Sequence, residues 1–233
     1  MTGIAELLRN NPYPGRGIAM GCSEDGRRGI IVYFIMGRSV NSRNRVFEKT
    51  ADGIRTKAHD PAKLTDPSLV IYNPVRFYHG HAIVTNGDQT DTIRDFMASG
   101  SDFRSALLTR EYEPDPPNYT PRISAILMPG GSYSLSILKT AAGNPGCCLR
   151  SFFEYSSPVP GLGHFISTYE TDGDPLPSFT GEPVPVGINL SVGLDALARD
   201  VWDALNDENK VSLYAAEIDL ASGGANEVIL NKN

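Results

Sequence analysis

The sequence predicts an α+β fold in which helices cover the outer faces of stacked antiparallel sheets. Three observations carry this expectation. Residues 29–36 (GIIVYFIM) are apolar at successive positions, so this strand needs cover on both faces. Short apolar runs bounded by Gly, Pro, Asn and Asp recur along the chain, as in successive strands. Convincing helical patterns are confined to two central segments and one late one, which favours helices segregated to the outsides of sheets over a repeating strand–helix alternation.

Taken in order, Thr2 caps a short helix through Ile4, Leu7 and Leu8 that ends near Asn10, with Pro12 beyond. Gly15 to Met20 is a first strand, and Asp25-Gly26 is a hairpin signal leading into Gly29 to Met36. Residues 46–66 are polar and expected to be irregular, with a turn at Asp52-Gly53. Ser68 to Asn73 and His81 to Thr85 form a strand pair turning around Tyr78 to Gly80. Asp88 or Thr90 caps a helix carrying Ile93, Phe96 and Met97, which Gly100 ends, and a second short helix covers Phe103 to Arg110. Pro114, Pro116 and Pro117 remove donors and fix φ, so Glu113 to Pro121 is not regular structure. Ile123 to Met128, Tyr133 to Lys139, Cys148 to Tyr155 and His164 to Thr171 follow as strands. Asp172 to Asn189 is a long loop, and Ser191 caps an amphipathic helix with Leu194, Leu197, Val201, Trp202 and Leu205 on one side. Val211 to Leu220 and Glu227 to Leu230 close the chain as a hairpin. No repeat, low-complexity tract or charge run marks a linker, so residues 1–233 are expected to form one domain.

The net charge of −6 argues against non-specific nucleic-acid binding. Arginine nevertheless outnumbers lysine 15 to 6, and its planar fork suits phosphate and carboxylate recognition. Cys22, Cys147 and Cys148 are an odd set without a disulfide spacing. No run reaches membrane-spanning length and residues 1–11 lack a signal-peptide pattern. Together these lead to the expectation of a cytoplasmic protein with no membrane partner. Assembly into a homo-oligomer is left open.

Three polar segments stand out. Gly37 to Arg45 (GRSVNSRNR) follows the buried strand with three arginines and no acid, which suits an anion-recognition loop or a plain solvated turn. Thr85 to Asp91 (TNGDQTD) joins a strand to a helix; helix-opening N–H groups there can hold an anion, or Asp88 or Thr90 simply caps. Glu111 to Arg122 (EYEPDPPNYTPR) is stiffened by prolines, which can hold polar groups for a substrate, with Glu113 available for proton transfer, or can serve structure alone. His79 and His81 have no evident third metal ligand, Cys22 reads as a buried or turn cysteine, and Tyr72-Asn73 is a plausible ligand contact at a strand end.

In order and content these segments, with the opening Tyr13-Pro14-Gly15-Arg16, resemble the signature segments of the IMP cyclohydrolase family best known from archaea. The similarity runs from Tyr13 to Ile126 and weakens through the later strands. The arginine loop is longer than the archaeal pattern, Gln89 stands where a histidine is expected, and Asn118-Tyr119 replaces a Tyr-Lys type pair. The resemblance implies a four-layered αββα sandwich of two antiparallel sheets, like that of N-terminal-nucleophile hydrolases. It implies ring closure of a formamido imidazole-carboxamide ribonucleotide to IMP, with no metal or other cofactor. On this basis Arg16, Arg38 and Arg45 are assigned to the phosphate or the charged oxygen, with Arg38 counted among the catalytic groups. Asn44, Asn86 and Asp88 contact ribose or carboxamide, Ser39 and Thr90 join the substrate-binding set, Tyr72 and Glu113 move protons, and Arg122 anchors Glu113 or the formyl oxygen. Two other readings are a non-catalytic purine-nucleotide-binding module and an amidohydrolase using Thr2 once Met1 is removed; the separation of Thr2 from the first strand speaks against the latter.

Overall fold

The computed structural model describes residues 1–64 and 67–233. Its strands form two antiparallel sheets. The first has six strands in the order β11 (Val184–Gly187), β10 (Leu162–Ser167), β1 (Arg16–Cys22), β2 (Arg28–Met36), β12 (Lys210–Asp219) and β13 (Ala225–Asn231). The second has seven: β3 (Arg45–Thr50), β4 (Gly53–Ala58), β5 (Val75–Tyr78), β6 (His81–Thr85), β7 (Arg122–Leu127), β8 (Tyr133–Ala141) and β9 (Asn144–Tyr155).

Strand alternation sorts the apolar side chains into three layers of core. Ile18, Met20, Ile31 and Ile35 of the first sheet meet Phe47, Ile54, Val84, Ile123 and Ala125 of the second. The opposite residues of the first sheet, among them Ile30, Val32 and Phe34, pack on α1 (Ile4–Leu8) and α5 (Leu194–Ala204). Ile83, Ile126 and Leu138 of the second sheet pack on α3 (Gln89–Ala98) and α4 (Phe103–Leu108). The predicted α+β class and the helix–sheet–sheet–helix layering are therefore observed. They explain why β2 is apolar throughout: it faces the second sheet on one side and helices on the other.

Some elements differ from the sequence expectation. Residues 46–58 are an ordered hairpin turning at Asp52-Gly53, with Ile54, Thr56 and Ala58 buried and Arg55 and Lys57 exposed. The polar Thr56 at an inward position disguised the alternation. The end of that expected irregular stretch, residues 65–66, lies outside the described residues. Ser68 to Asn73 is not a strand. The Thr56 hydroxyl accepts from Tyr72 N and donates to the Val70 and Tyr72 carbonyls, replacing ladder bonds, and regular pairing begins only after Pro74. The long loop after residue 171 contains β11. Thr2 and Ser191 do not cap: Gly3 and Gly193 occupy those positions without side-chain bonds. The three cysteines are free. Among the described residues no helix is long and apolar enough to cross a membrane.

Candidate active site

One end of the sandwich gathers most of the predicted polar residues. The start of β1, the end of β2, the starts of β3 and β7 and the end of β6 all reach it. Between the sheets here the apolar pattern is interrupted. Arg16 shares its strand face with Ile18 and Met20, Tyr33 with Ile31 and Ile35, and Arg45 with Phe47. Arg16, Arg45, Tyr33, Tyr72 and Glu113 are all buried.

Arg45 has no accessible surface. Its Nε donates to the Ser42 carbonyl at 2.8 Å and one terminal nitrogen to the Met36 carbonyl at 3.4 Å. The other terminal nitrogen, Nη1, and Nε of Arg16 are buried without a hydrogen-bond partner. Buried guanidinium N–H groups without acceptors are costly, so two such groups in one place mark where an anion or carbonyl oxygen belongs. Burial and the neighbouring Arg16 both pull the pKa of Arg45 down, against the pull of Tyr72 and Tyr33. Burial pulls on Arg16 too, but Glu113, Tyr13, Tyr169 and Tyr72 outweigh it and hold Arg16 above the usual guanidinium range.

Glu113 is 2% exposed. Burial pushes its carboxyl up to about 7, even though Arg16 and Arg122 pull it down; Asp115 adds to the rise. A carboxyl near neutrality can both take and give a proton at physiological pH. Its backbone N–H donates to the Thr120 carbonyl at 2.9 Å. Thr120 in turn donates its N–H and hydroxyl to Asp115, and its hydroxyl lies 2.6 Å from the Tyr169 hydroxyl. Thr120 thus ties Glu113 and Asp115, at the start of the proline-rich segment, to its end. Tyr72 contacts Tyr33, hydroxyl to hydroxyl, at 2.9 Å.

Arg122 shares its strand face with Ile126 and turns toward α3. It donates to Asp88 Oδ1 and Gln89 Oε1, both at 2.7 Å, while Arg110 binds the other Asp88 oxygen. Asp88 stands at the α3 N-cap position yet makes no capping bond. Burial would raise its pKa, but Arg122 and Arg110 hold it below the ordinary carboxylate value. A Cβ at Gly87 would lie 2.5 Å from Arg122 Nη1 and 2.6 Å from Gln89 Oε1, so any side chain there would displace the ends of these two paired side chains.

The remaining predicted residues occupy other positions. Asn86 bridges the segments: Nδ2 donates to the Pro121 carbonyl, and Oδ1 accepts from Ile123 N and Gln89 Nε2. Thr90 is buried against Thr85 and the Gly87 carbonyl. Asn44 spends its amide on the Asp60 backbone. Ser39 is exposed and caps α2 (Val40–Arg43) in a reciprocal pair with Ser42. Arg38 sits at the rim, bound to Asp172 at 2.7 Å and 5.2 Å from the Tyr13 ring centre. The three arginines of this loop thus diverge, since Arg43 is tied to Glu208 and Asn209. The counter-charges of Arg38 and Arg43 come from distant segments, which a local reading could not see.

Sequence reasoning missed Tyr33, Tyr169, Asp115 and Thr120. Tyr33 carried a signal: it is the one hydroxyl in an otherwise apolar strand. Tyr169, stacked on Tyr13 at 6.1 Å, carried none. His79 and His81 turn up at the far end of the second sheet, with His81 Nδ1 against the His79 carbonyl at 3.1 Å.

Residues 13–223 match the family model described as IMP cyclohydrolase-like protein. A protein named IMP cyclohydrolase from Halobacterium salinarum is 30% identical over 196 residues, covering 82% of this chain and 85% of the relative. One of the same name from Methanopyrus kandleri is 31% identical over 161 residues, 67% and 75% of the two chains. A third, from Methanococcus aeolicus, is 26% identical over 162 residues, 68% and 74%. The chain belongs to the IMP cyclohydrolase-like family.

Proposed function

We propose that this chain is an IMP cyclohydrolase, a cytoplasmic single-domain enzyme over residues 1–233 that closes the purine ring of a formamido imidazole-carboxamide ribonucleotide to give IMP. The observation that carries the reading is the buried trio of Arg16, Arg45 and Glu113. Two guanidinium N–H groups without acceptors lie in the same polar cluster as a carboxyl raised to about 7. The ligand is a small purine ribonucleotide; neither nucleic acid nor a membrane is a partner.

The reaction asks for what this site holds. The carboxamide nitrogen adds to the formyl carbon, and the formyl oxygen gains negative charge. Arg16 and Arg45 supply fixed donors for that oxygen in a water-poor setting, where such stabilisation is strongest. Glu113 accepts the proton that the attacking nitrogen loses and returns it to the oxyanion to make a hydroxyl. The former formamide N–H gives up the second proton as the ring C=N bond forms and the C–O bond breaks, and the oxygen departs as water. Tyr72, bound to Tyr33, is the second proton carrier. Arg122, fixed by Asp88 and Gln89, holds the charge environment of Glu113. Arg38 at the rim is placed for the 5′-phosphate.

The test is spectrophotometric formation of IMP from the formamido ribonucleotide by the purified chain and by Glu113→Gln. The wild-type chain is expected to form IMP, and Glu113→Gln to be slower by about 100-fold or more, the usual scale for loss of a general acid–base group. Binding of IMP without turnover by the wild type would leave only a nucleotide-binding module.

A further inference from the structure

The two sheets have four outer edges, and among the described residues they are finished differently. β11 carries Pro185, and its Gly187 N–H donates to the Thr2 carbonyl at 2.9 Å. The β3 edge is covered by the amide of Asn231, which takes the Phe47 N–H at 2.8 Å and donates to the Phe47 carbonyl at 3.1 Å. β13 has a single charged side chain, Glu227, already paired with Lys49 at 2.7 Å. β9 is the longest strand, 12 residues. Tyr112 covers its beginning through the Pro145 carbonyl. Residues 149–155 (LRSFFEY) have no such cover, and Leu149 is 44% exposed. A long open edge bearing aromatic and aliphatic side chains is a template for another strand.

We propose that the open edge of β9 pairs antiparallel with the same edge of a second copy of this chain, about a two-fold axis at Phe152. An axis perpendicular to a sheet keeps each side chain on its face, so one residue must face itself. With Phe152 opposite Phe152, the registration places Arg150 opposite Glu154 on both sides of the axis, and Leu149 opposite Tyr155. These are the only charged residues in 149–155, and both share the face of Phe152, which packs beside α4. Arg150 uses Nε and Nη2 on the Arg110 carbonyl at 3.1 and 2.9 Å and lies 3.5 Å from Glu111, so its stem is already fixed on that face. Glu154 has no ion-pair partner in its own chain among the described residues. Opposite charges directly across strands stabilise a pair and like charges destabilise it. The two sheets would continue as one across the dimer.

The test is sedimentation velocity of the full chain over a wide concentration series, with Glu154→Arg, Arg150→Glu and the double exchange. The wild type is expected to be a dimer. Glu154→Arg, which breaks no ion pair within its own chain, should raise the dimer dissociation constant by about tenfold or more by placing arginines together, without changing its melting curve measured at low, monomeric concentration. The double exchange should restore the dimer. A wild type that stays monomeric, a dimer indifferent to Glu154→Arg, or a double exchange that fails to restore it would each overturn the proposal.

Discussion

Replacing Glu113 by Gln should make the protein more stable at neutral and alkaline pH while removing its activity. The carboxyl is raised from its ordinary 4.5 to about 7 by burial, so the folded state binds this proton more tightly than the unfolded chain does. Between these two values the folded state therefore carries more protons, and stability falls as pH rises. The cost is absent below about 4.5 and complete above about 7. At about 1.36 kcal/mol per pH unit the rise corresponds to about 3 kcal/mol, with little solvent screening because the side chain is buried. Glutamine mimics the protonated acid in shape and cannot ionise. Urea denaturation of both proteins from about pH 4 to about pH 8.5 should give curves that coincide in acid and separate in favour of Glu113→Gln by a few kcal/mol in base. A stability difference independent of pH, or one favouring the wild type at high pH, would refute the picture of a buried carboxyl whose desolvation outweighs the pull of Arg16 and Arg122.

Three further outcomes follow from single contacts. Gly87→Ala drives a Cβ against Arg122 Nη1 and Gln89 Oε1, so it should cost about 1–3 kcal/mol in chemical denaturation and lower kcat; full stability and activity would mean that Arg122 need not hold that position. Tyr33→Phe removes only the hydroxyl bound to Tyr72 and is expected to lower kcat with KM nearly unchanged, for about 1 kcal/mol of folding stability; an unchanged kcat would take the tyrosine pair out of the chemistry. Asn231→Ala strips the β3 edge of both amide bonds and frees the Ser212 hydroxyl, and should destabilise by about 1–3 kcal/mol without altering turnover.

The layered fold was legible where side chains obey alternation and burial together. β2, β7 and β8 are bounded by turns and face cores on both sides, so composition alone places them. It failed where a polar side chain does a strand's work. Thr56 points inward and satisfies the chain at Val70 and Tyr72, which turned a real hairpin into an apparent loop and a loop into an apparent strand. The candidate site divides the same way. Arg16, Arg45, Glu113 and Arg122 lie in segments whose order resembles a family pattern, Tyr72 lies outside them at an expected strand end, and the fold brings all five to one end of the sandwich. Asn44, Asn86 and Thr90 were assigned to substrate, yet their polar groups are committed to holding backbone in place. Nothing in one sequence separates an asparagine that grips a ligand from one that grips the chain. Tyr169 reaches the site from 49 residues beyond Thr120, with no local mark.

The central claim is that the buried arginines and a near-neutral Glu113 close a purine ring. Single-turnover ring closure of the formamido ribonucleotide, followed across pH, tests it directly. Because Glu113 must begin as the base, the wild-type rate is predicted to rise through an inflection near 7, and Glu113→Gln should abolish that inflection with most of the rate. A wild-type rate no greater than the uncatalysed reaction, or an unaltered profile in Glu113→Gln, would contradict it.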